Sequence, residues 1–149
     1  IYSMDRMVYI VALIYVFTMV HSAQASKVWR DGQGHILCTV TTNCSGKATY
    51  RDSQGHLIGT ATTDGYGKTT YRDSQGQLCG TTRTDANGRT TYRDSMGRTQ
   101  WSRSTDSSGR STYRDSQGHL MGSETTNGGG ATTFRDAQGH VQGQGDEET

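Results

Sequence analysis

The sequence predicts an all-β fold: an antiparallel β-meander of 21-residue hairpin repeats with about ten strands in a single curled or spiral sheet. Two observations predict this fold. The string YRDSQGHL at 50–57 recurs every 21 residues, as YRDSQGQL at 71, YRDSMGRT at 92, YRDSQGHL at 113 and FRDAQGHV at 134. Each repeat also holds two turn signals, separated by short segments rich in Thr, Tyr and Arg, in a chain without proline.

Residues 1–25 differ from everything that follows and predict a cleaved secretory signal peptide. An apolar stretch from Val8 to Val20 precedes the sequence AQA at 23–25, which has the small residues of a cleavage site. A membrane anchor is the alternative, but the apolar stretch has about 13 residues, short of the roughly 20 that a spanning helix needs. We therefore expect a mature chain from Ser26, exported to the periplasm or the extracellular space and without membrane contact after cleavage.

Charge and composition restrict the classes of function. The chain has 15 Lys and Arg against 14 Asp and Glu, and such a balance argues against a nucleic-acid partner. Only 30% of the residues are hydrophobic, which is too few for a thick globular core. Disorder is the competing interpretation of this composition, but the regular placement of the few apolar residues favours an ordered repeat.

Columns of residues mark the repeats that follow the signal peptide. The aromatic column contains Trp29, Tyr50, Tyr71, Tyr92, Tyr113 and Phe134. An arginine follows each aromatic residue directly, an aspartate follows the arginine, and a glycine stands three residues after the aspartate. The columns predict five and a half hairpin repeats over 26–143 and a flexible acidic tail over 144–149.

The odd period determines how side chains are divided between the two faces of the sheet. Two even loops would invert each new repeat, so one loop must have an odd number of residues. We assign a four-residue loop to 52–55, capped by Asp52, which places Tyr50 opposite Leu57. A three-residue loop with a glycine bulge at 86–88 completes the repeat. One face then collects Tyr, Leu, small residues and Thr, and the other collects Arg, Lys, His and Thr.

The apolar surface of a repeat is small compared with the cost of ordering it. One Tyr and one Leu stabilise a repeat by about 3 to 5 kcal/mol, which is less than the backbone entropy that ordering removes. The sheet must therefore curl, pack against a second copy or remain marginally stable, and we favour curling. Thr99 in the leucine column and Trp101 in a glycine column make the third full repeat the weakest.

Two columns of ionisable residues suggest metal binding, but spacing argues against it. His35, His56, His119 and His140 share one column. Equivalent residues lie two strands, or roughly 9 to 10 Å, apart, too far to share a metal ion with bonds near 2.1 Å. Each turn offers a single aspartate rather than a set of calcium ligands. We therefore assign the aspartates to turn capping and expect no metal or cofactor.

Three cysteines, Cys38, Cys44 and Cys79, form an odd set in a chain that we expect to be exported. A disulfide between Cys38 and Cys44 would close the first hairpin, and this is the pairing we favour. A disulfide between Cys38 and Cys79, which would join the first two repeats, is the alternative. Either bond is structural, because the pattern places no histidine as the partner of a nucleophilic cysteine.

Exposed aromatic residues and threonine columns suggest two kinds of binding. Tyr66 and Trp101 are candidates to stack on sugar rings. Threonine columns at 49, 70, 91, 112 and 133 and at 42, 63, 84, 105 and 126 resemble the arrays of ice-binding sheets, although ordinary strand propensity also explains them.

The string Y-x-D-x-x-G-x-L resembles the tyrosine-aspartate repeats of RHS-type secreted proteins, over Trp29 to Gly143. In that family the residue before Asp is usually Tyr, whereas an arginine such as Arg51 stands there in this chain. The chain is also similar to small secreted repeat proteins of enterobacteria and their prophages with the pattern YRDxxG. The resemblance implies a spiral β-sheet that binds or encloses a partner without catalysis.

The sequence therefore predicts an exported, non-enzymatic repeat protein that makes surface contacts in adhesion, binding or assembly. The expected partners are a cell-surface component, a glycan or another protein, with self-association as a further option. A carbohydrate-binding module is the alternative function, and an ice-binding threonine sheet is a more remote one. No acid, base and nucleophile converge in the repeat, so we expect no enzyme.

Overall fold

The computed structural model describes residues 25–148, which form an all-β antiparallel fold of twelve strands that close into a barrel. The strands are β1 Ala25–Asp31, β2 Ile36–Thr42, β3 Lys47–Asp52, β4 Leu57–Thr63, β5 Lys68–Asp73, β6 Leu78–Thr84, β7 Thr90–Asp94, β8 Thr99–Thr105, β9 Arg110–Asp115, β10 Leu120–Thr126, β11 Thr132–Asp136 and β12 Val141–Glu148. The predicted all-β antiparallel fold is confirmed. The open spiral sheet is wrong, because β1 pairs with β12.

The ends of the repeat region differ from the prediction. Six complete hairpins are present rather than five and a half, because β12 continues to Glu148 through most of the segment predicted as a flexible tail. Apart from Ala25, the predicted signal peptide lies outside the described residues. Within residues 25–148, no helix is long and apolar enough to cross a membrane.

The strand pair that closes the barrel has the same register as the internal junctions between hairpins. At the closing pair, Gly143 lies opposite Asp31. At the internal junction of β4 and β5, the equivalent Gly59 lies opposite Asp73. The first strand therefore pairs with the last in the register that a seventh repeat would take. This pairing leaves no open sheet edge among the described strands.

Both turns of a repeat are three-residue loops, and a bulge absorbs the extra residue. The Asp52 N–H donates to the His56 carbonyl and the Gly55 N–H to the Asp52 carbonyl, at 2.9 and 3.1 Å. The second turn has the same bonds, so the three-residue loop predicted at 86–88 is confirmed and the four-residue loop at 52–55 is wrong. Gly55, with φ of 87°, adopts the left-handed conformation that this turn requires.

The bulge lies directly after the first turn of every hairpin. Tyr50 is opposite Gly59 and Arg51 is opposite Leu57, so Ile58 has no partner residue across the hairpin. The same register shift occurs between all six strand pairs that share a first turn. Bulges bend a sheet and increase its twist. Six of them at one level therefore explain why the meander coils until its ends meet.

The bulge also moves the leucine column away from the tyrosine face, which corrects the predicted division of side chains. Leu57, paired with Arg51, points outward and is 39% exposed. Ile36, Leu78 and Leu120 are half-exposed in the same way. The aromatic column faces the interior without the leucine column, and most of its neighbours there are small or hydroxyl side chains of the adjacent strands.

Aromatic side chains form the core of the barrel. The buried aromatic residues are Trp29, Tyr50, Tyr71, Tyr92, Trp101, Tyr113 and Phe134. A glycine on the neighbouring strand makes room for the aromatic ring: a Cβ at Gly80 would lie 2.6 Å from Tyr92 Oη. Trp101 replaces such a glycine and stacks on Tyr92, with ring centroids 5.2 Å apart. The third full repeat, which the sequence predicted to be the weakest, therefore contains a larger aromatic contact than the other repeats.

Candidate binding surface

The first-turn rim is the end of the barrel that carries the turns at 31–35, 52–56, 73–77, 94–98, 115–119 and 136–140. An aspartate caps each turn from the barrel side. Asp52 Oδ1 accepts the backbone N–H groups of Gln54 and His56 at 2.9 and 2.8 Å. Asp52 Oδ2 lies 3.1 Å from His56 Nδ1. The predicted role of the aspartates as turn caps is confirmed by these bonds.

Hydrogen bonding lowers the pKa of most of these carboxylates. The backbone N–H of His35 is the main cause of the lowered pKa of Asp31. For Asp52, desolvation is the largest influence and raises the pKa, but the hydrogen bonds of His56 and Gln54 outweigh it and lower the pKa. The pKa is also lowered at Asp94, Asp115 and Asp136 on this rim, and at Asp106 in a second turn. The charge of these aspartates is therefore used within their own turns.

The histidines of the rim serve the same turns. His35, His56, His119 and His140 each place Nδ1 within 3.0 to 3.2 Å of the Oδ2 of the aspartate four residues earlier. Over residues 25–148, no group of three or more His, Cys, Asp or Glu side chains is arranged to hold a metal ion. Each histidine thus belongs to its own turn rather than to a shared site.

An arginine braces each first turn from the outside. Arg51 Nη1 donates to the Gly55 carbonyl at 2.9 Å. The same bond, at 2.9 to 3.2 Å, is made by Arg30, Arg72, Arg93, Arg114 and Arg135. Arg51 remains exposed in spite of this bond, so its guanidinium group is oriented by the turn but still accessible to a partner.

We call the solvent-facing side chains of the strands the outer wall, and between residues 26 and 145 its charges have one sign. The basic residues of the outer wall are Arg30, Lys47, Arg51, Lys68, Arg72, Arg83, Arg93, Arg110, Arg114 and Arg135. Between residues 26 and 145, every aspartate lies in a turn or at a strand end beside one, and Glu124 points inward. A nearly neutral chain therefore forms a barrel with a basic outer wall.

Hydroxyl side chains fill most of the outer wall between the basic residues. Across four adjacent strands, Thr62 pairs with Thr70, Thr70 with Thr81, and Thr81 with Arg93. The second predicted threonine column points inward instead: Thr63 Oγ1 lies 2.8 Å from the Oγ1 of the buried Thr69. The two columns thus occupy opposite faces and do not form one flat threonine array.

The interior contains a buried carboxylate, Glu124, near the cationic side chains of Arg103 and Lys27, which the repeat pattern did not predict. Glu124 is 2% exposed and accepts a 2.6 Å hydrogen bond from Tyr113 Oη. Desolvation raises the pKa of Glu124 against the opposing effects of this bond and of Arg103 and Lys27. Lys27 Nζ also donates to Thr132 Oγ1 at 3.0 Å. The sequence does indicate these interior charges, because Arg103 and Glu124 interrupt a column that holds Ala61 and Thr82 in the preceding repeats.

The aromatic candidates for sugar stacking are separated. Trp101 is 2% exposed, so its prediction as an exposed contact residue is wrong: its column faces the interior, where it packs on Tyr92 and Tyr113. Tyr66 lies at the tip of the second turn at 64–68 and is 88% exposed. The two residues therefore do not form one platform, and Tyr66 is the exposed member.

The predicted disulfide between Cys38 and Cys44 is absent, and all three cysteines are free. Cys38 is fully buried on β2, whereas Cys44 lies in the exposed turn after that strand. The four residue steps of extended strand from 38 to 42 alone span about 13 Å, twice the distance that a disulfide bridges. Burial raises the pKa of Cys38 to about 12, so this thiol is not a nucleophile at neutral pH. Cys79 is exposed at a bulge of β6, far from β2 in the strand order.

Comparisons with known proteins show little similarity. No protein-family model matches the chain, and no curated protein matches it. Among solved structures, the chain is similar to BamB from Moraxella catarrhalis, with 12% sequence identity and a TM-score of 0.33. The match covers 80% of this chain and 62% of that chain, so this chain spans less than two thirds of BamB. A TM-score of this size supports no inference about fold or function.

Proposed function

We propose that the protein is an exported, non-enzymatic binding protein whose outer wall makes contacts at a cell surface, in adhesion or assembly. The observation that carries this proposal is the repetition of the exposed set: an oriented arginine, a half-exposed aliphatic residue and rows of threonine recur in successive hairpins. Equivalent groups at equal intervals suit a partner that is itself repetitive, because several weak contacts then act together. The resemblance to tyrosine-aspartate repeats favours the same kind of role and remains a prediction.

The chemistry of the described residues supports binding rather than catalysis. The rim aspartates are occupied by turn amides, and the buried thiol of Cys38 has a raised pKa. The interior hydroxyls of Thr84 and Thr90 bond each other at 2.8 Å. A catalytic site needs a nucleophile and a base that converge on an accessible point, and these groups are instead used to stabilise the barrel.

The test blocks the outer wall sterically, whatever the chemistry of the partner. In a background with Cys44→Ser and Cys79→Ser, a polyethylene glycol chain is attached through maleimide to Thr62→Cys on the wall. The matched control carries the same polymer at Ser107→Cys, which lies in an exposed second turn. Cosedimentation with bacterial cells is measured for both proteins.

We expect the polymer at Thr62→Cys to abolish cosedimentation and the polymer at Ser107→Cys to leave it unchanged. Equal cosedimentation of the two labelled proteins, or none for the unlabelled protein, would contradict contact through the wall.

A carbohydrate-binding module is the second candidate, and the exposure of Tyr66 favours it. An exposed aromatic ring at a turn tip can stack on a sugar without rearrangement of the barrel. The Tyr66→Ala variant is expected to lose retention on insoluble polysaccharides, while Trp101 is excluded from such contact by its burial. Unchanged retention of Tyr66→Ala would remove this candidate.

A further inference from the structure

The outer wall separates positive from negative charge more completely than the net charge of the chain suggests. The rim carboxylates each accept two backbone N–H groups, and most of them, such as Asp52, also have a side-chain contact. The wall arginines that directly follow the core aromatic residues, by contrast, bond a neutral turn carbonyl. Between residues 26 and 145 the wall therefore presents positive charge to a partner, while the negative charge of this range is concentrated at the turns and in the interior.

The wall arginines are also arranged for binding before a ligand arrives. The bond from Arg93 Nη1 to the Gly97 carbonyl, at 3.1 Å, restricts the side chain while Arg93 stays exposed. A restricted side chain loses less conformational entropy when it binds. Guanidinium groups also favour planar, two-point contacts with carboxylate and phosphate oxygens. A ladder of such arginines therefore suits an anionic polymer.

The spacing of the ladder indicates what kind of polymer. Equivalent arginines such as Arg72 and Arg93 lie two strands apart, roughly 9 to 10 Å along the sheet. Nucleic acids are far more densely charged, with a phosphate about every 3.4 Å on each strand. A polysaccharide with one carboxylate per disaccharide has a charge spacing close to that of the ladder. The threonine hydroxyls beside Arg93, such as Thr81, can both donate to and accept from sugar hydroxyls.

The apolar groups of the wall suit neither a nucleic acid nor a lipid surface. Among the described residues, the exposed aromatic ring of Tyr66 is at a turn tip, so the wall lacks the aromatic platforms on which bases stack. Leu57 and Leu78 are half-exposed, but they stand two strands apart rather than in one continuous patch that could enter a lipid surface.

We infer that the outer wall binds an acidic polysaccharide that carries about one negative charge per disaccharide, held by the ladder of turn-braced arginines. This inference rests on the proposed function, since it names the partner of the same surface. The ligand lies across neighbouring hairpins, with its carboxylates on arginines and its hydroxyls on the intervening threonines.

The probe is fluorescent hyaluronan, which has one carboxylate per disaccharide, and binding of the full chain is followed by fluorescence anisotropy. We expect hyaluronan to bind more tightly than single-stranded oligothymidylate of equal length, and neutral dextran not to bind. The affinity for hyaluronan should fall linearly with the logarithm of the salt concentration, because binding releases counterions.

One hairpin supplies a matched pair of variants. Arg93→Gln removes a wall charge, and we expect it to weaken hyaluronan binding roughly tenfold. Arg98→Gln removes an equal charge from the turn of the same hairpin, where Arg98 Nε bonds Asp94 Oδ2 at 2.8 Å, and should change the affinity less than about twofold. Arg93→Lys, which retains the charge but not the planar group, should fall between them. Thermal unfolding followed by circular dichroism checks that each variant is folded.

Each alternative result has a definite meaning. Equal binding of dextran and hyaluronan, equal losses in Arg93→Gln and Arg98→Gln, or tighter binding of oligothymidylate would each overturn the inference, the last in favour of a nucleic-acid partner. If hyaluronan does not bind but the wall-blocking polymer at Thr62→Cys still prevents cosedimentation with cells, the inference fails while the proposed function stands. If the polymer has no effect on cosedimentation, the proposed function itself fails.

Discussion

The outer wall and the interior of the barrel come from the same repeats but have diverged to different extents. On the wall, five of the six equivalent positions hold threonine, at Thr49, Thr70, Thr91, Thr112 and Thr133, and the sixth holds Val28. In the interior, equivalent positions hold Val40, Ala61, Thr82, Arg103, Glu124 and Gly145. Each wall residue contacts solvent and neighbours of its own kind. The interior residues share one enclosed space, which must be filled jointly and without voids.

The difference shows that the hairpin repeat and the closure of the barrel constrain different residues of the sequence. A repeated turn and a repeated wall fix the hairpin and its register locally. Closing six hairpins around one core brings side chains from distant strands together, as when Lys27 of β1 bonds Thr132 of β11. Irregular interior residues are therefore expected wherever the repeats meet across the barrel, and they should be the residues most sensitive to mutation.

The largest effect is expected when an irregular interior residue is returned to the repeat pattern. Trp101→Gly restores the glycine that four other repeats have at this position but empties the space between Tyr92 and Tyr113. We expect the free energy of unfolding to fall by about 3 to 5 kcal/mol, as for other buried tryptophans. Urea denaturation measures this change. Thr91→Ala on the outer wall, as the control, should stay within about 0.5 kcal/mol of the parent.

A smaller effect is expected where the repeat requires a glycine. A Cβ at Gly80 would approach Tyr92 Oη to 2.6 Å and would also meet the backbone of the neighbouring strand. Gly80→Ala should therefore lower the free energy of unfolding by about 1 to 3 kcal/mol through overpacking. At Gly65 an added Cβ meets nothing within 4 Å, so Gly65→Ala in the same assay is the matched control. Equal effects of the two substitutions would mean that room for the tyrosine is not what selects the glycine.

The sequence predicted what is decided locally and failed where distant strands decide. Asp85 and Gly88 specify their turn without help from the rest of the chain, and that turn was predicted correctly. The bulge at Ile58 was missed because two different arrangements give the same 21-residue period. One is the predicted pair of a four-residue and a three-residue loop, and the other is the observed pair of three-residue loops with one extra strand residue. The observed bulge turns Leu57 outward. Closure could not be predicted because an open spiral and a barrel use the same internal junctions.

For the binding surface, alternation along the strands put Arg51 and its equivalents on one face and was sufficient to predict a basic, hydroxylated side. The exposure of Tyr66 also followed from its position in a turn. Trp101 was misplaced because an open sheet leaves its tyrosine face accessible, whereas closure of the barrel buries that face. The contact of Glu124 with Tyr113 depends on the closed core and has no counterpart in a flat sheet.

A change in pH should distinguish the interior from the rim. Desolvation raises the pKa of Glu124, although Tyr113, Arg103 and Lys27 oppose this effect. The folded chain therefore binds this proton more tightly than the unfolded chain, and stability is lost as the pH rises above about 4.5. The rim acts in the opposite sense: the pKa of Asp52 is lowered in the folded state, so its contribution is lost as the pH falls below about 4.

Glu124→Gln removes the interior effect and retains an acceptor for Tyr113. Urea denaturation from pH 4 to pH 8 should show a smaller decrease in stability with rising pH for Glu124→Gln than for the parent. The rim histidines and aspartates are present in both proteins, so the difference between the two curves isolates Glu124. Both proteins should lose stability in parallel below about pH 4. Identical slopes above that pH would show that Glu124 does not carry the interior response.

The smallest effect is expected from moving the chain ends, because the closing junction has the register of an internal one. The equivalent of Asp85 at the closing junction is Glu148, followed by Thr149, and Ser26 is the equivalent of Arg89. An Asn-Gly link between Thr149 and Ser26 therefore completes a turn with the length of the loop at 86–88. A permutant with this link is opened within the second turn at 43–47. Its free energy of unfolding should lie within about 1 kcal/mol of the parent, since no strand pair is lost.

The control permutant carries the same Asn-Gly link but is opened between Tyr71 and Arg72, inside β5, where the new ends interrupt two ladders of backbone hydrogen bonds. This permutant should be strongly destabilised, because a core aromatic residue and the arginine that braces its turn then belong to separate chain ends. If both permutants unfold alike, the junctions are not equivalent and the pairing of β1 with β12 is a special contact. If only the control fails, any of the six junctions can close the barrel, and what distinguishes them is the irregular interior that they enclose.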